Sequence, residues 1–119
     1  MPIPFKQLIR FERRKAESAH IRAKYSDHVP IVCEKAPGSD ASDIDKPKFL
    51  VPLDITAGEF MYIIRRRMNI CPEKSIFLFI DDEIPQNNAK MSVIYDEHKD
   101  PDGFLYITYT GENTFGACL

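Results

Sequence analysis

The stretch TAGEFMYIIRRRM, residues 56 to 68, constrains the fold of this chain more than any other. Thr56 and Glu59 have the Thr-x-x-Glu spacing in which each side chain satisfies the other residue's backbone N–H at the start of a helix. Phe60, Ile63, Ile64 and Met68 then recur at helical spacing and share one face. A helix this short is marginal alone, so that face has to be buried against another element.

Four short apolar runs offer themselves as that element. HVPIVCEK (28 to 35) and KFLVPL (48 to 53) flank APGSDASDIDKP, a turn-rich acidic loop, and read as a hairpin. SIFLFI (75 to 80) is apolar enough to be a buried strand, DDEIP reads as a turn, KMSVIYDEH as a short helix, and FLYITY (104 to 109) as the last strand. Pro30 and Pro52 each remove a backbone donor, a loss tolerated at an edge or a strand end, so the second strand is expected to have a free edge. Before the hairpin, PFKQLIRF and ERRKAESAHIRAK predict a helix in two pieces. Ala16, Ala19 and Ala23 form a small-residue stripe that would let this segment lie close against the sheet.

The resulting order is helix, helix, strand, strand, helix, strand, short helix, strand. A hairpin, a crossing helix and two further strands make an α+β chain of the ubiquitin-like β-grasp type, a four-stranded mixed sheet preceded here by two added helices. Residues 1 to 26 form the expected helical subdomain, 27 to 116 the β-grasp, and 117 to 119 a tail. With 119 residues and 44% hydrophobic content, the chain fits one domain that removes roughly two-thirds of its unfolded surface from water.

Charge is unevenly placed. Up to Lys24 there are seven basic residues against two acidic, and after it nine basic against sixteen acidic. This asymmetry fits either an anionic partner for the N-terminus or a solvated helix face. Three cysteines without CxxC spacing argue against a disulfide framework or zinc site and for a reducing compartment. No apolar run reaches the length of a membrane span or signal peptide, Pro2 is incompatible with N-myristoylation, and Cys118 is misplaced for prenylation. Any membrane attachment would therefore be added by other chemistry.

No catalytic constellation emerges. Cys33 alternates into a strand as core, and Cys71 precedes Pro72 in a loop. His20, His28 and His98 are scattered, and the carboxylates of the DDE turn face no second acid. The glycines are isolated and form no phosphate-binding loop. Arg65, Arg66 and Arg67 close the central helix, where cations complement its dipole. Such a chain acts by being bound or attached.

FERR (11 to 14), IRAKY (21 to 25), EKAP (34 to 37), DIDKPKFLVP (43 to 52) and the terminal TFG together resemble the ubiquitin-like autophagy modifiers of the GABARAP and microtubule-associated light-chain type. The resemblance runs almost without a gap from Phe5 to Gly116. It implies a cytoplasmic precursor, cut after Gly116 by a cysteine protease to remove Ala117, Cys118 and Leu119. The exposed glycine would be carried by activating and conjugating enzymes to phosphatidylethanolamine, placing the protein on autophagosomes or other vesicle membranes. Glycine suits this role because it passes a narrow tunnel and leaves its carbonyl open to attack. No cofactor, metal or nucleic-acid partner is implied.

The resemblance also implies a groove for aromatic-x-x-aliphatic peptides of autophagy receptors and adaptors, added as a strand near Lys46 to Leu50. Its aromatic pocket would comprise Glu17, Ile21, Pro30, Val32, Lys48, Leu50 and Phe104. Its aliphatic pocket would comprise Phe49, Val51, Pro52, Ile55, Phe60 and Ile63, with Arg67 at the rim. Lys46 and Lys48 would attract acidic residues ahead of the motif. The chain departs from its relatives at Ser26, at His28 and in the acidic loop GSDASD (38 to 43), which bears on partner choice more than on fold. A rival reading is an adaptor that is never conjugated and binds tubulin or receptor tails through its basic helices.

Overall fold

The structure, a computed structural model, describes residues 3–39, 41–68, 70 and 74–111. Its elements follow the expected order: α1 (Phe5–Leu8), α2 (Phe11–Lys24), β1 (His28–Lys35), β2 (Lys48–Pro52), α3 (Ala57–Met68), β3 (Ile76–Phe79), α4 (Met91–His98) and β4 (Leu105–Gly111). The strands form one mixed sheet in the order β2-β1-β4-β3. β1 runs antiparallel to β2 and parallel to β4, and β3 is antiparallel to β4.

The capping box is formed in full. Thr56 N–H donates to Glu59 Oε1 at 3.0 Å and Glu59 N–H donates to Thr56 Oγ1 at 3.2 Å. α3 buries Ala57, Phe60 and Ile64 against the sheet. The DDE turn is tight, with Asp81 and Asp82 at φ of 50° and 64° and paired backbone bonds between Ile80 and Glu83 of 2.8 and 3.0 Å. Aspartate is among the few residues with a side chain that enter this region readily.

Alternation along the strands divides the core in two. Val29, Ile31, Cys33, Phe49, Val51, Leu78, Leu105, Ile107 and Tyr109 face α3 and α4 with Phe60, Ile64, Met91 and Ile94. Val32 and Phe104 turn the other way and pack with Phe5, Ile9, Ile21 and Tyr106. β1 is therefore buried on both faces, which explains its continuous apolar run.

Two expectations change. Pro30 lies inside a central strand, not at an edge. The β1–β4 ladder begins only at Ile31, so the missing Pro30 donor falls beyond the end of that ladder and breaks no bond. The alanine stripe of α2 does not face the sheet: Ala16, Ala19 and Ala23 are exposed, while Arg14 and Ser18 are buried. α2 is set down by a polar seam. The Ser18 hydroxyl donates to the Asp102 carbonyl, and a Cβ on Gly103, whose φ is +93°, would lie 2.2 Å from Ser18 Oγ. Only glycine lets the helix approach this closely.

Candidate functional site

The outer side of β2 is one of the two edges of the sheet, the other being β3. Cys33 N–H donates to the Pro47 carbonyl at 2.8 Å and Leu53 N–H to the Asp27 carbonyl at 3.0 Å. With the register Ile31↔Phe49 and Val29↔Val51, positions 47, 49, 51 and 53 turn their backbone toward β1. Lys48 and Leu50 therefore point both N–H and C=O outward, whereas Pro52 has no donor and its carbonyl accepts the Ile55 N–H at 3.5 Å. Such an edge can accept one more short strand.

Side chains on the two faces of this edge differ. Lys48 and Leu50 lie on the α2 side, with Pro30, Val32 and Phe104 beneath them and Glu17 and Ile21 supplied by α2. Phe49 and Val51 lie on the α3 side. There Phe49 meets Phe60 edge-on at 5.5 Å, and Arg67 stacks over the Phe49 ring at 4.3 Å while reaching the Lys46 carbonyl at 3.4 Å. Ile55 and Ile63 are half-buried and open on a groove of about 630 Å³ shared with Thr56, Gly58, Glu59, Tyr62, Asn87 and Asn88. Two sets of apolar side chains thus flank one edge on opposite faces.

Several expected residues stand differently from their assigned places. Pro52 shares the strand parity of Lys48 and Leu50, so the pleat carries it to the α2 side, away from Phe49 and Val51. Phe60, Phe49 and Val51 are 0%, 6% and 3% exposed, so they are core side chains supporting a pocket wall from behind. Val32 and Phe104 are equally closed, at 0% and 1%. Lys48 Nζ donates to the Glu17 carboxylate at 2.7 Å, bridging the edge strand and α2 across the aromatic side. Lys46 is exposed, and its N–H donates to Asp45 Oδ1 at 2.8 Å. Gly116, the tail and Cys71 lie outside the described residues.

A buried polar cluster beside the aromatic side escaped the sequence reading. Asp102 is fully buried and Arg14 nearly so, with Arg14 Nε 3.4 Å from the Asp102 carboxylate. The carboxylate also accepts the Phe104 N–H at 2.8 Å and the Tyr106 hydroxyl at 2.5 Å. Burial, and then the hydrogen bond to Asp102, push the Tyr106 phenol well above its ordinary pKa. In sequence, Asp102 reads only as part of a DPDG turn and Arg14 as one of a basic run. Arg14 is thereby withdrawn from the basic face, which keeps Arg10, Arg13 and Lys15 exposed. Phe5 was missed as well, because the residues that bury it are distant in sequence. Cys33 is buried as expected, and burial raises its thiol pKa, so it is a poor nucleophile. No helix among the described residues is long and apolar enough to cross a membrane.

Fold and edge together define a ubiquitin-like β-grasp with two added N-terminal helices and an open outer strand. The family model described as autophagy protein Atg8, ubiquitin like, matches residues 13–116. The chain belongs to that family of ubiquitin-like autophagy modifiers. It is 59% identical to autophagy-related protein 8 of Emericella nidulans over 114 residues, covering 96% of this chain and 97% of that protein. It is also 59% identical to the Colletotrichum lindemuthianum protein of that name, with 95% and 93% covered. Among solved structures, Trypanosoma brucei ATG8 superposes with a TM-score of 0.89 at 40% identity, covering 98% of this chain and all of that one. Plasmodium falciparum Atg8 in complex with a Plasmodium falciparum Atg3 peptide gives 0.84 at 36% identity, covering 92% and 96%.

Proposed function

We propose that this chain is a modifier processed after Gly116 and joined through that glycine to phosphatidylethanolamine. On the membrane it recruits receptors and adaptors through aromatic-x-x-aliphatic peptides bound along β2. A cysteine protease and activating and conjugating enzymes are its processing partners. The complex of the Plasmodium relative with an Atg3 peptide supports a short peptide from a conjugating enzyme as one ligand of the fold. The protein is cytoplasmic before attachment and vesicle-associated after it, and it performs no catalysis itself.

One observation carries the peptide reading: the two side-chain sets lie on opposite faces of the free β2 edge. In an extended peptide, residues three apart point to opposite faces of the sheet it joins and lie about 10 Å apart. An aromatic-x-x-aliphatic motif meets this geometry, while one intervening residue would place both anchors on the same face. Lys46 and Lys48 add positive charge for acidic residues preceding the motif, which speeds encounter more than it deepens affinity. Arg14 is buried with Asp102, which removes one cation from the surface on which the tubulin-binding reading depends.

The test is a calorimetric titration with two peptides of equal composition, one with two residues between its anchors and one with a single residue. The first should bind in the micromolar range, about -8 kcal/mol, and the second at least tenfold more weakly. Equal binding would remove the two-faced groove. Leu50→Ala is the appropriate groove variant, since Leu50 is 39% exposed whereas Phe49 belongs to the core. Attachment is tested separately by mass spectrometry of the protein from cells. Loss of Ala117 to Leu119 with a lipid-sized addition is expected, and an intact tail in Gly116→Ala.

A further inference from the structure

The aromatic side of the groove is occupied by the chain itself. Val32 and Phe104 show almost no surface, and the side chain packed against both is Phe5, 6% exposed. Its ring meets Phe104 edge-on at 5.5 Å and Tyr106 at 6.5 Å, with Ile21 closing the same cluster. Lys48 Nζ lies 5.7 Å from the Phe5 ring centre while paired with Glu17, so the mouth is closed over the ring. Three residues assigned to an incoming aromatic anchor, Ile21, Val32 and Phe104, are therefore already holding a phenyl group.

The segment carrying that ring is lightly attached. α1 is a single turn in which Phe5 alone is buried, and its neighbours Ile3 and Leu8 are 56% and 59% exposed. Its polar tethers are the Phe5 N–H donated to Glu34 Oε2 at 2.8 Å and the Lys6–Asp100 pair at 2.6 Å, with Lys6 also 4.4 Å from the Tyr106 ring centre. A helix of four residues has no stability of its own, so α1 is held down mainly by the ring it inserts.

We propose that Phe5 is a built-in plug that occupies the place of the peptide's aromatic anchor, and that α1 withdraws when the peptide binds. This rests on the peptide reading above and names the regulation of that site. An incoming ring replaces the contacts that Phe5 gives up, so the exchange costs little apolar burial. The plugged population lowers apparent affinity in proportion to the fraction of molecules that are open. Anything that holds α1 away from the sheet, such as a partner engaging its exposed side, would raise affinity for peptide without touching the groove.

The experiment titrates the full chain with an acidic peptide carrying Trp-x-x-Leu, using wild type, Phe5→Ala, Glu34→Gln and Leu50→Ala. If one molecule in about ten is open, Phe5→Ala should bind about tenfold more tightly. Glu34→Gln, which weakens a tether and keeps the ring, should gain roughly two- to threefold on the same arithmetic. Leu50→Ala should bind more weakly, which confirms that the groove is being read. A folded Phe5→Ala protein that binds equally or more weakly would make Phe5 a permanent wall and overturn the plug.

If Phe5→Ala does not fold, 4-fluorophenylalanine placed at position 5 alone decides the matter. Its fluorine signal should move to the solvent-exposed position as peptide saturates the protein, and an unmoved signal at saturation refutes withdrawal. The two readings fail differently. Insensitivity to Leu50→Ala and to anchor spacing removes the groove and the plug together, whereas spacing-sensitive binding with a stationary Phe5 removes the plug alone.

Discussion

The two faces of the sheet are built from different materials. On the α3 side, Ile31, Phe60, Ile64, Leu105 and Tyr109 belong to one continuous apolar core, with Ile55 and Ile63 half-buried at its margin. On the α2 side the apolar cluster is small, with Phe5, Val32 and Phe104 as its buried members, and the helix is secured by Arg14, Ser18 and Asp102. Hydrophobic contact is nondirectional and grows with area, so the first face supplies most of the stability. A polar seam contributes less net energy but fixes one orientation, because its groups are costly if left unpaired. The part of a binding surface that must give way belongs on the second face, where some of the cover can leave without dissolving the core.

The contrast breaks most visibly on the apolar side. Phe60→Ala removes a fully buried ring and should cost about 3 to 5 kcal/mol, seen as a large drop in the urea midpoint with loss of all helical signal together. A local loss confined to α3 would mean that the two faces do not fold as one unit. On the polar side, Asp102→Ala leaves the buried Arg14 charge without its counter-ion and the Tyr106 hydroxyl without its acceptor, at an expected cost of about 3 kcal/mol. Here the amide protection of α2 should fall more than that of α3. Equal losses in both helices would erase the distinction drawn between the faces.

The smallest effect sharpens the comparison through pH. Burial works to raise the Asp100 pKa, but the hydrogen bond from Lys6, the Asp102 N–H and the Lys6 charge outweigh it and hold the carboxyl below its ordinary value of 3.8. A depressed pKa in the folded state means that the contribution is complete at neutral pH and is lost as pH falls below about 4. The Lys6–Asp100 pair is partly exposed, so a few tenths of a kcal/mol is expected. The protection factors of the α1 amides, taken relative to intrinsic exchange at each pH, should fall slightly between pH 5 and 3 in wild type but less in Asp100→Asn. A parallel change in both proteins would assign the effect to other groups.

What the sequence by itself determined is what nearest neighbours along the chain control. The Thr56–Glu59 cap, the amphipathic face of α3, the DDE turn and the order of all eight elements depend on residues within a few positions of each other, so spacing alone reveals them. The prolines of the hairpin also led to a correct expectation for β2 as the free edge, although Pro30 itself sits in a central strand where the β4 ladder has not yet begun. Tertiary structure decided which face of α2 meets the sheet, since the alanines satisfied the periodicity rule but the Arg14 and Ser18 face found Asp102. It likewise decided that Pro52 parts from Phe49 and Val51, that Val32 and Phe104 are closed, and that Phe5 closes them. Those outcomes join residues such as Phe5 and Phe104 across nearly the whole chain. No local pattern encodes such a contact, because it exists only once the sheet has brought the two ends together.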